Sequence, residues 1–83
     1  MDLELSPEAA EDMHELPLVI VARVRGVIER LRNWPRVSGA KPLRASLAGH
    51  YRIRTGDYRV QFRIERATVI IEKVGHRDRF YEG

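Results

Sequence analysis

The stretch His50-Tyr51-Arg52-Ile53-Arg54-Thr55-Gly56-Asp57-Tyr58-Arg59-Val60 sets three guanidinium groups around a two-residue turn. Arg63 follows on the second limb. Arginine carries a planar fork of donors that matches phosphate oxygens, whereas lysine is a point charge. Water alone would be met as well by lysine, threonine or glutamate. The chemistry this spacing suits is therefore the binding of a phosphate, or the stabilisation of negative charge developing on one.

The elements that must position these groups follow from the pattern around them. Tyr51, Ile53 and Thr55 alternate with His50, Arg52 and Arg54; Tyr58, Val60, Phe62 and Ile64 alternate with Arg59, Gln61 and Arg63. A period of two predicts strands with one apolar face. Gly56-Asp57, with glycine first, predicts a type II′ hairpin turn. That turn sets Thr55 against Tyr58, Arg54 against Arg59, Ile53 against Val60 and Arg52 against Gln61. The apolar side packs on the rest of the molecule, and Arg52, Arg54, Arg59 and Arg63 share the other side. Like charges directly opposite one another destabilise a sheet, and an anionic ligand is the simplest compensation for Arg54 against Arg59.

A third strand is predicted over 68–74, returning antiparallel after a turn at Arg66-Ala67 and apolar at consecutive positions. Upstream, residues 2–5 suit a short edge strand. Ser6-Pro7-Glu8 reads as a helix start, with Ser6 as N-cap and Pro7 in the first turn. Pro17 ends that helix. A second helix over about 18–33 shows an apolar stripe of Ile20, Val24, Val27, Ile28 and Leu31, with Trp34 one step further packing at its end. Arg23, Arg25, Arg30 and Arg32 lie on its other face. Residues 33–42 form a Pro/Gly/Ser loop. The predicted class is α+β, an N-terminal helical hairpin packed on a small antiparallel sheet.

Composition bounds the rest. At 83 residues the chain is expected to form one domain, small enough for a partner's contact to aid its stability. It has no cysteine, hence no disulfide and no Cys-ligated zinc. No apolar run approaches the roughly 20 residues of a membrane span, and the acidic N-terminal stretch lacks the plan of a signal peptide, so the expectation is a cytoplasmic protein. Charge is segregated. Residues 1–16 hold six acids and no Lys or Arg, while residues 17–83 hold all 15 basic residues, 13 of them Arg, against six acids, a net of +9. Such a body suits nucleic acid or an acidic protein partner.

The segments LAGHYRIRTGDYRVQFRI and VGHRDRFY together resemble the RelE/ParE toxin superfamily, and its RelE branch in particular. The resemblance covers nearly the whole chain, taken as a single RelE-like domain over 1–83. It implies the toxin of a toxin–antitoxin pair: a ribosome-dependent endoribonuclease (mRNA interferase) that cuts mRNA in the A site, needs no metal or cofactor, inhibits translation and is blocked by a cognate antitoxin. The family's catalytic positions fall on Arg52, Arg54, Arg59, Arg77 and Tyr81, with Arg63, Lys73 and Arg79 assigned to RNA binding. Some relatives carry Lys where this chain has Arg52 and Arg54.

Metal-independent RNA cleavage uses the 2′-OH against the adjacent phosphate and leaves a 2′,3′-cyclic phosphate and a 5′-OH. It needs a base, charge stabilisation and an acid for the leaving 5′-oxygen. Arg52, Arg54, Arg59 and Arg77 can stabilise charge. An arginine does not give up its proton, so neither Arg52 nor Arg54 is the base. Tyr81, His76 and His50 are the proton-transfer candidates, and their roles stay undivided at this level. Two alternatives stand beside this reading: a ParE-like toxin acting on DNA gyrase without nuclease chemistry, and an inactive RelE-like binding module.

Overall fold

The order of elements follows the local signals closely. The structure is a computed structural model, and it describes residues 1–80. It runs β1 (Asp2–Leu5), α1 (Pro7–His14), α2 (Leu18–Arg30), β2 (Lys41–Pro42), β3 (His50–Thr55), β4 (Tyr58–Glu65) and β5 (Thr68–His76), with single 3-10 turns at Leu31–Asn33 and Ala45–Leu47. At the start of α1 the Ser6 Oγ accepts a hydrogen bond from the Ala9 N–H at 3.1 Å, and Pro7 occupies the first turn. This satisfies one of the orphan donors of the helix start. The second helix ends at Arg30 and tightens into the 3-10 turn, three residues short of the expected α-helical end.

The five strands lie in the order β1-β5-β4-β3-β2. The β3–β4 register is the expected one: Arg54 faces Arg59, Ile53 faces Val60 and Arg52 faces Gln61. Gly56 has φ +58°, and Asp57 is not among the residues of positive φ, as a type II′ turn requires. Three features depart from expectation. β1 joins the sheet parallel, beside β5, which is open to it because most of the chain lies between the two strands. Lys41–Pro42 adds an edge strand beside β3, in what was expected to be loop. β5 continues to His76 rather than stopping at 74.

The core lies between the helices and one face of the sheet. Val24, Leu31, Val60, Phe62, Val69 and Ile71 are fully buried there, with Ala9 from α1. Each large side chain so buried contributes about 1.5–3 kcal/mol relative to exposure. Trp34 closes one end of the core against Tyr51 and Phe62, with ring centroids 4.7 and 5.3 Å away. It is a packing residue, tilted and edge-on in the geometries aromatic pairs prefer.

One turn works against the backbone. Arg66 and Ala67, between β4 and β5, both have positive φ, +49° and +60°. A left-handed conformation costs a residue with a Cβ roughly 1–2 kcal/mol, and tight hairpin turns of this kind favour Asn-Gly. Replacing Arg66-Ala67 with Asn-Gly should therefore stabilise the chain by about 1 kcal/mol and raise Tm by about 4–8 °C. Thermal unfolding followed by circular dichroism checks this; an unchanged or lower Tm would contradict it.

Candidate nucleic-acid interface

The sheet face turned away from the helices carries its polar side chains in rows. Opposed residues on adjacent strands share a face, so Arg54 and Arg59 form the row beside the Gly56 turn, with Gly75 completing it on β5. Lys41, Arg52, Gln61 and Lys73 form the next row across β2, β3, β4 and β5. His50 and Arg63 form the third. Successive rows stand two residues apart, about 7 Å.

The two ends of this face differ in how their charge is balanced. At the far end Glu72 sits among three donors. Its Oε1 lies 2.6 Å from His50 Nδ1 and 3.3 Å from Gln61 Nε2, and its Oε2 lies 2.9 Å from Arg63 Nη1. Arg63 also pairs with Glu65 at 3.0 Å. Partial burial pushes the Glu72 carboxyl up, but hydrogen bonds from His50, Gln61 and Arg63 outweigh it and hold the group below the usual carboxylate range. At the turn end the balance is missing. Among the described residues Arg54 and Arg59 have no salt bridge, and Arg59 Nη1 is buried without a hydrogen-bond partner. A buried donor left unpaired costs about 1–3 kcal/mol, so this is the part of the face with most to gain from an anion.

Arg77 flanks the same turn. Its backbone N–H donates to Asp57 O at 2.7 Å, and its guanidinium, exposed, stands 3.8 Å from Asp57 and 3.7 Å from Asp78. Exposed pairs at such distances contribute little, leaving the guanidinium available. Arg23 of α2 also reaches the turn: a Cβ at Gly56 would stand 3.0 Å from its Nη1. Sequence reasoning left Arg23 on a solvated helix face, since its contact with the turn lies across the fold.

The remaining candidates are distributed as follows. Arg52 is half-buried in the middle row. Lys73 also lies there, but its ammonium donates to the Phe80 carbonyl and sits 4.7 Å from the centre of the Phe80 ring. Arg63 is committed to two carboxylates. Arg79 is exposed after β5. His76 is opposed to Tyr58, whose ring it meets edge-on at 5.2 Å. It therefore projects to the other face of the sheet, away from Arg59 and its neighbours. Tyr81 lies outside the described residues.

Glu72 is the functional candidate that sequence reasoning missed, and the signal was present. Ile71 and Val74 both enter the core, although a strict period of two cannot send residues three apart to one face. The pairing resolves this with a bulge: Gln61 faces Lys73 and Phe62 faces Ile71, so Glu72 is the extra residue. Glu72 keeps the outward direction that alternation from Ile70 gives it, and the bulge re-aims Lys73 onto the same face.

A groove of about 720 Å³ lies between α1 and the end of β5, where Glu8, Asp12 and Glu15 meet Lys73, His76 and Arg79. Its carboxylates offset those cations, so the nucleic-acid candidate is the open basic face. Among the described residues no helix is long and apolar enough to cross a membrane.

Comparison with known proteins gives a consistent picture. The profile of the family described as the ParE toxin of type II toxin–antitoxin systems, parDE, matches residues 3–81. The chain is 41% identical over 76 residues to Toxin RelG of Mycobacterium tuberculosis, covering 88% of this chain and 86% of that protein. A chain of the toxin–antitoxin complex RelBE2 from the same organism superposes with a TM-score of 0.81 at 37% identity, covering 92% of this chain and 90% of that one. The isolated Escherichia coli RelE toxin shares the fold, with a TM-score of 0.76 at 18% identity over 90% of this chain and 82% of that one.

The Glu72 cluster has a consequence for stability. A carboxylate whose folded pKa is depressed contributes stability that is present above its unfolded pKa, about 4.3 for Glu. That contribution is lost as pH falls through the folded value. Urea midpoints of the wild type should therefore drop as pH is lowered from 5 through the carboxylate range, and Glu72→Gln should flatten that part of the curve. Identical pH dependence in the two proteins would show that Glu72 is not the group responsible.

Proposed function

The chain is a member of the ParE/RelE family of type II toxin–antitoxin toxins, and from that premise we propose that it is a ribosome-dependent endoribonuclease that cleaves mRNA in the A site and so arrests translation. The observation that carries this reading is the unbalanced turn end of the basic face. Arg54 and Arg59 oppose each other there without a carboxylate, and Arg59 holds a buried donor with no partner among the described residues. An RNA phosphodiester is an anion that would supply that partner. Arg52, Arg54, Arg59 and Arg77 would stabilise charge as the 2′-oxygen attacks phosphorus. Such a reaction needs no metal, because the guanidinium groups supply the positive charge. Proton transfer falls to a titratable group: of the three candidates, His50 lies on the face, His76 lies on the opposite side of the sheet, and Tyr81 lies outside the described residues.

The same charge favours an acidic antitoxin as cognate partner. Residues 17–83 carry a net charge of +9, and Leu18 and Val19 at the start of α2 are 88% and 75% exposed. An amphipathic, acidic segment would complement both. The acidic helix α1 packs against β5, where its carboxylates share a groove with Lys73 and Arg79. The ParE-like alternative, acting on DNA gyrase without nuclease chemistry, has the description of the matched family on its side; an inactive binding module has only the replacement of Lys by Arg at positions 52 and 54.

Primer extension on a translated mRNA after brief expression separates these readings. Wild type should give new ends within codons that depend on translation. Arg59→Ala and Arg77→Ala should each reduce cleavage by about 10²–10³, the usual cost of removing a group that stabilises developing charge, and Tyr81→Phe should reduce it if its hydroxyl moves a proton. Toxicity without cleavage would favour the gyrase reading, and neither toxicity nor cleavage would favour the binding module.

A further inference from the structure

We propose that Glu72 is a positioning residue that orients His50 as the general base, with His50 Nε2 taking the proton of the attacking 2′-OH; this rests on the mRNA-cleavage reading above. The geometry is that of a carboxylate–imidazole pair. Glu72 Oε1 and His50 Nδ1 are 2.6 Å apart, with side chains 17% and 26% exposed. A carboxylate at Nδ1 selects the tautomer that carries its proton there and leaves the Nε2 lone pair outward. Among the described residues Nε2 has no hydrogen-bond partner.

Three further observations converge on the pair. Glu72 lies on the sheet face of Ile70, which is opposed to Arg63, and Arg63 is in turn opposed to His50. Arg63 and Gln61 fix the remaining lone pairs of Glu72, so its orientation is set before any substrate arrives. Arg52 stands two residues from His50 on the same face, about 7 Å along the strand, and an arginine side chain spans that distance. A phosphate held by Arg52 would thus place its neighbouring ribose over His50. Among the described residues the competing bases fit less well: Arg52 and Arg54 cannot lose a proton, and His76 is on the other face.

The step balances without a co-reactant. His50 Nε2 accepts the 2′-OH proton as the 2′-oxygen bonds to phosphorus. The phosphorus–O5′ bond breaks, and the 5′-oxygen leaves with the bonding pair and takes a proton from solvent. The imidazolium, its charge offset by Glu72, then returns its proton to solvent. The charged groups facing His50 are Glu72 from β5, Arg63 from β4, Arg52 from β3 itself and Lys41 from β2. Three of these are cations. Removing the Glu72 charge leaves the imidazolium facing positive charge alone, which disfavours the protonated form and weakens the base.

Single-turnover cleavage of mRNA on programmed ribosomes between pH 5 and 9 tests this. The chains compared are wild type, Glu72→Gln and His50→Asn, alongside ¹⁵N imidazole spectra of wild type. Asparagine keeps a donor in the place of Nδ1 but offers no base. His50→Asn should lose about 10²–10⁴-fold in rate. Glu72→Gln should lose about tenfold or more, with the acid limb of its pH–rate profile moved to lower pH, a change that a merely structural counter-ion would not cause. The spectra should show the Nδ1–H tautomer. Rates within about threefold of wild type with an unmoved limb, or an Nε2–H tautomer in wild type, would overturn the proposal while leaving the nuclease reading intact. Wild type that does not cleave would overturn both.

Discussion

Every side chain of β3 and β4 takes its direction from the Gly56-Asp57 turn. A slip of one residue in that pairing would send Ile53, Val60 and Phe62 to solvent and bring Arg52, Arg54 and Arg59 into the core. The turn resists this because its first residue needs a positive φ that glycine adopts at little cost. Phe62 then anchors the register from the other side, under Tyr51 and Trp34. The core and the basic face are thus two consequences of one pairing, and the strand that buries the centre of the molecule is the strand that displays its charge.

That face is not uniformly basic. Its charge is balanced where Glu72 and Glu65 meet Arg63 and His50, and unbalanced where Arg54 meets Arg59. At the balanced end Glu72, Glu65, Arg63 and His50 are already paired with one another. The unbalanced end gains most from an anion. A strand of RNA crossing the face would therefore be gripped at the turn end and meet pre-oriented groups at the other. This division follows from where Glu72 and Glu65 stand; the bulge on β5 adds Lys73 to the same face, because without it Lys73 would point into the core and Val74 out of it.

The family relationship and the face geometry bear on different questions. Similarity to Toxin RelG and to a chain of the RelBE2 complex places the chain among toxins of type II toxin–antitoxin systems. The arrangement of Arg52, Arg54, Arg59 and Arg77 forms a basic surface that an anion would complete, since one buried nitrogen of Arg59 has no hydrogen-bond partner among the described residues. Arg52 and Arg54 keep their charge and give up no proton, so in the proposed reaction proton transfer would fall on other residues.

What the sequence determined by itself is whatever depends on near neighbours along the chain. The N-cap at Ser6, the apolar stripe of α2, the Gly-Asp turn and the alternation on either side of it were all legible, and with them the set of arginines on one face. These rest on backbone sterics and on side-chain period, which act over a few residues. The tertiary structure alone decided what depends on which distant segments meet. It brought Glu72 to His50 across 22 positions, carried His76 to the opposite face, set Arg23 beside Gly56 and paired β1 with β5 in parallel. The bulge on β5 was hinted at by apolar residues three apart, but a hint of irregularity does not name the partner of Glu72. Contacts of that kind are fixed by how the whole sheet and its helices close on one another, and no local pattern in the chain records that.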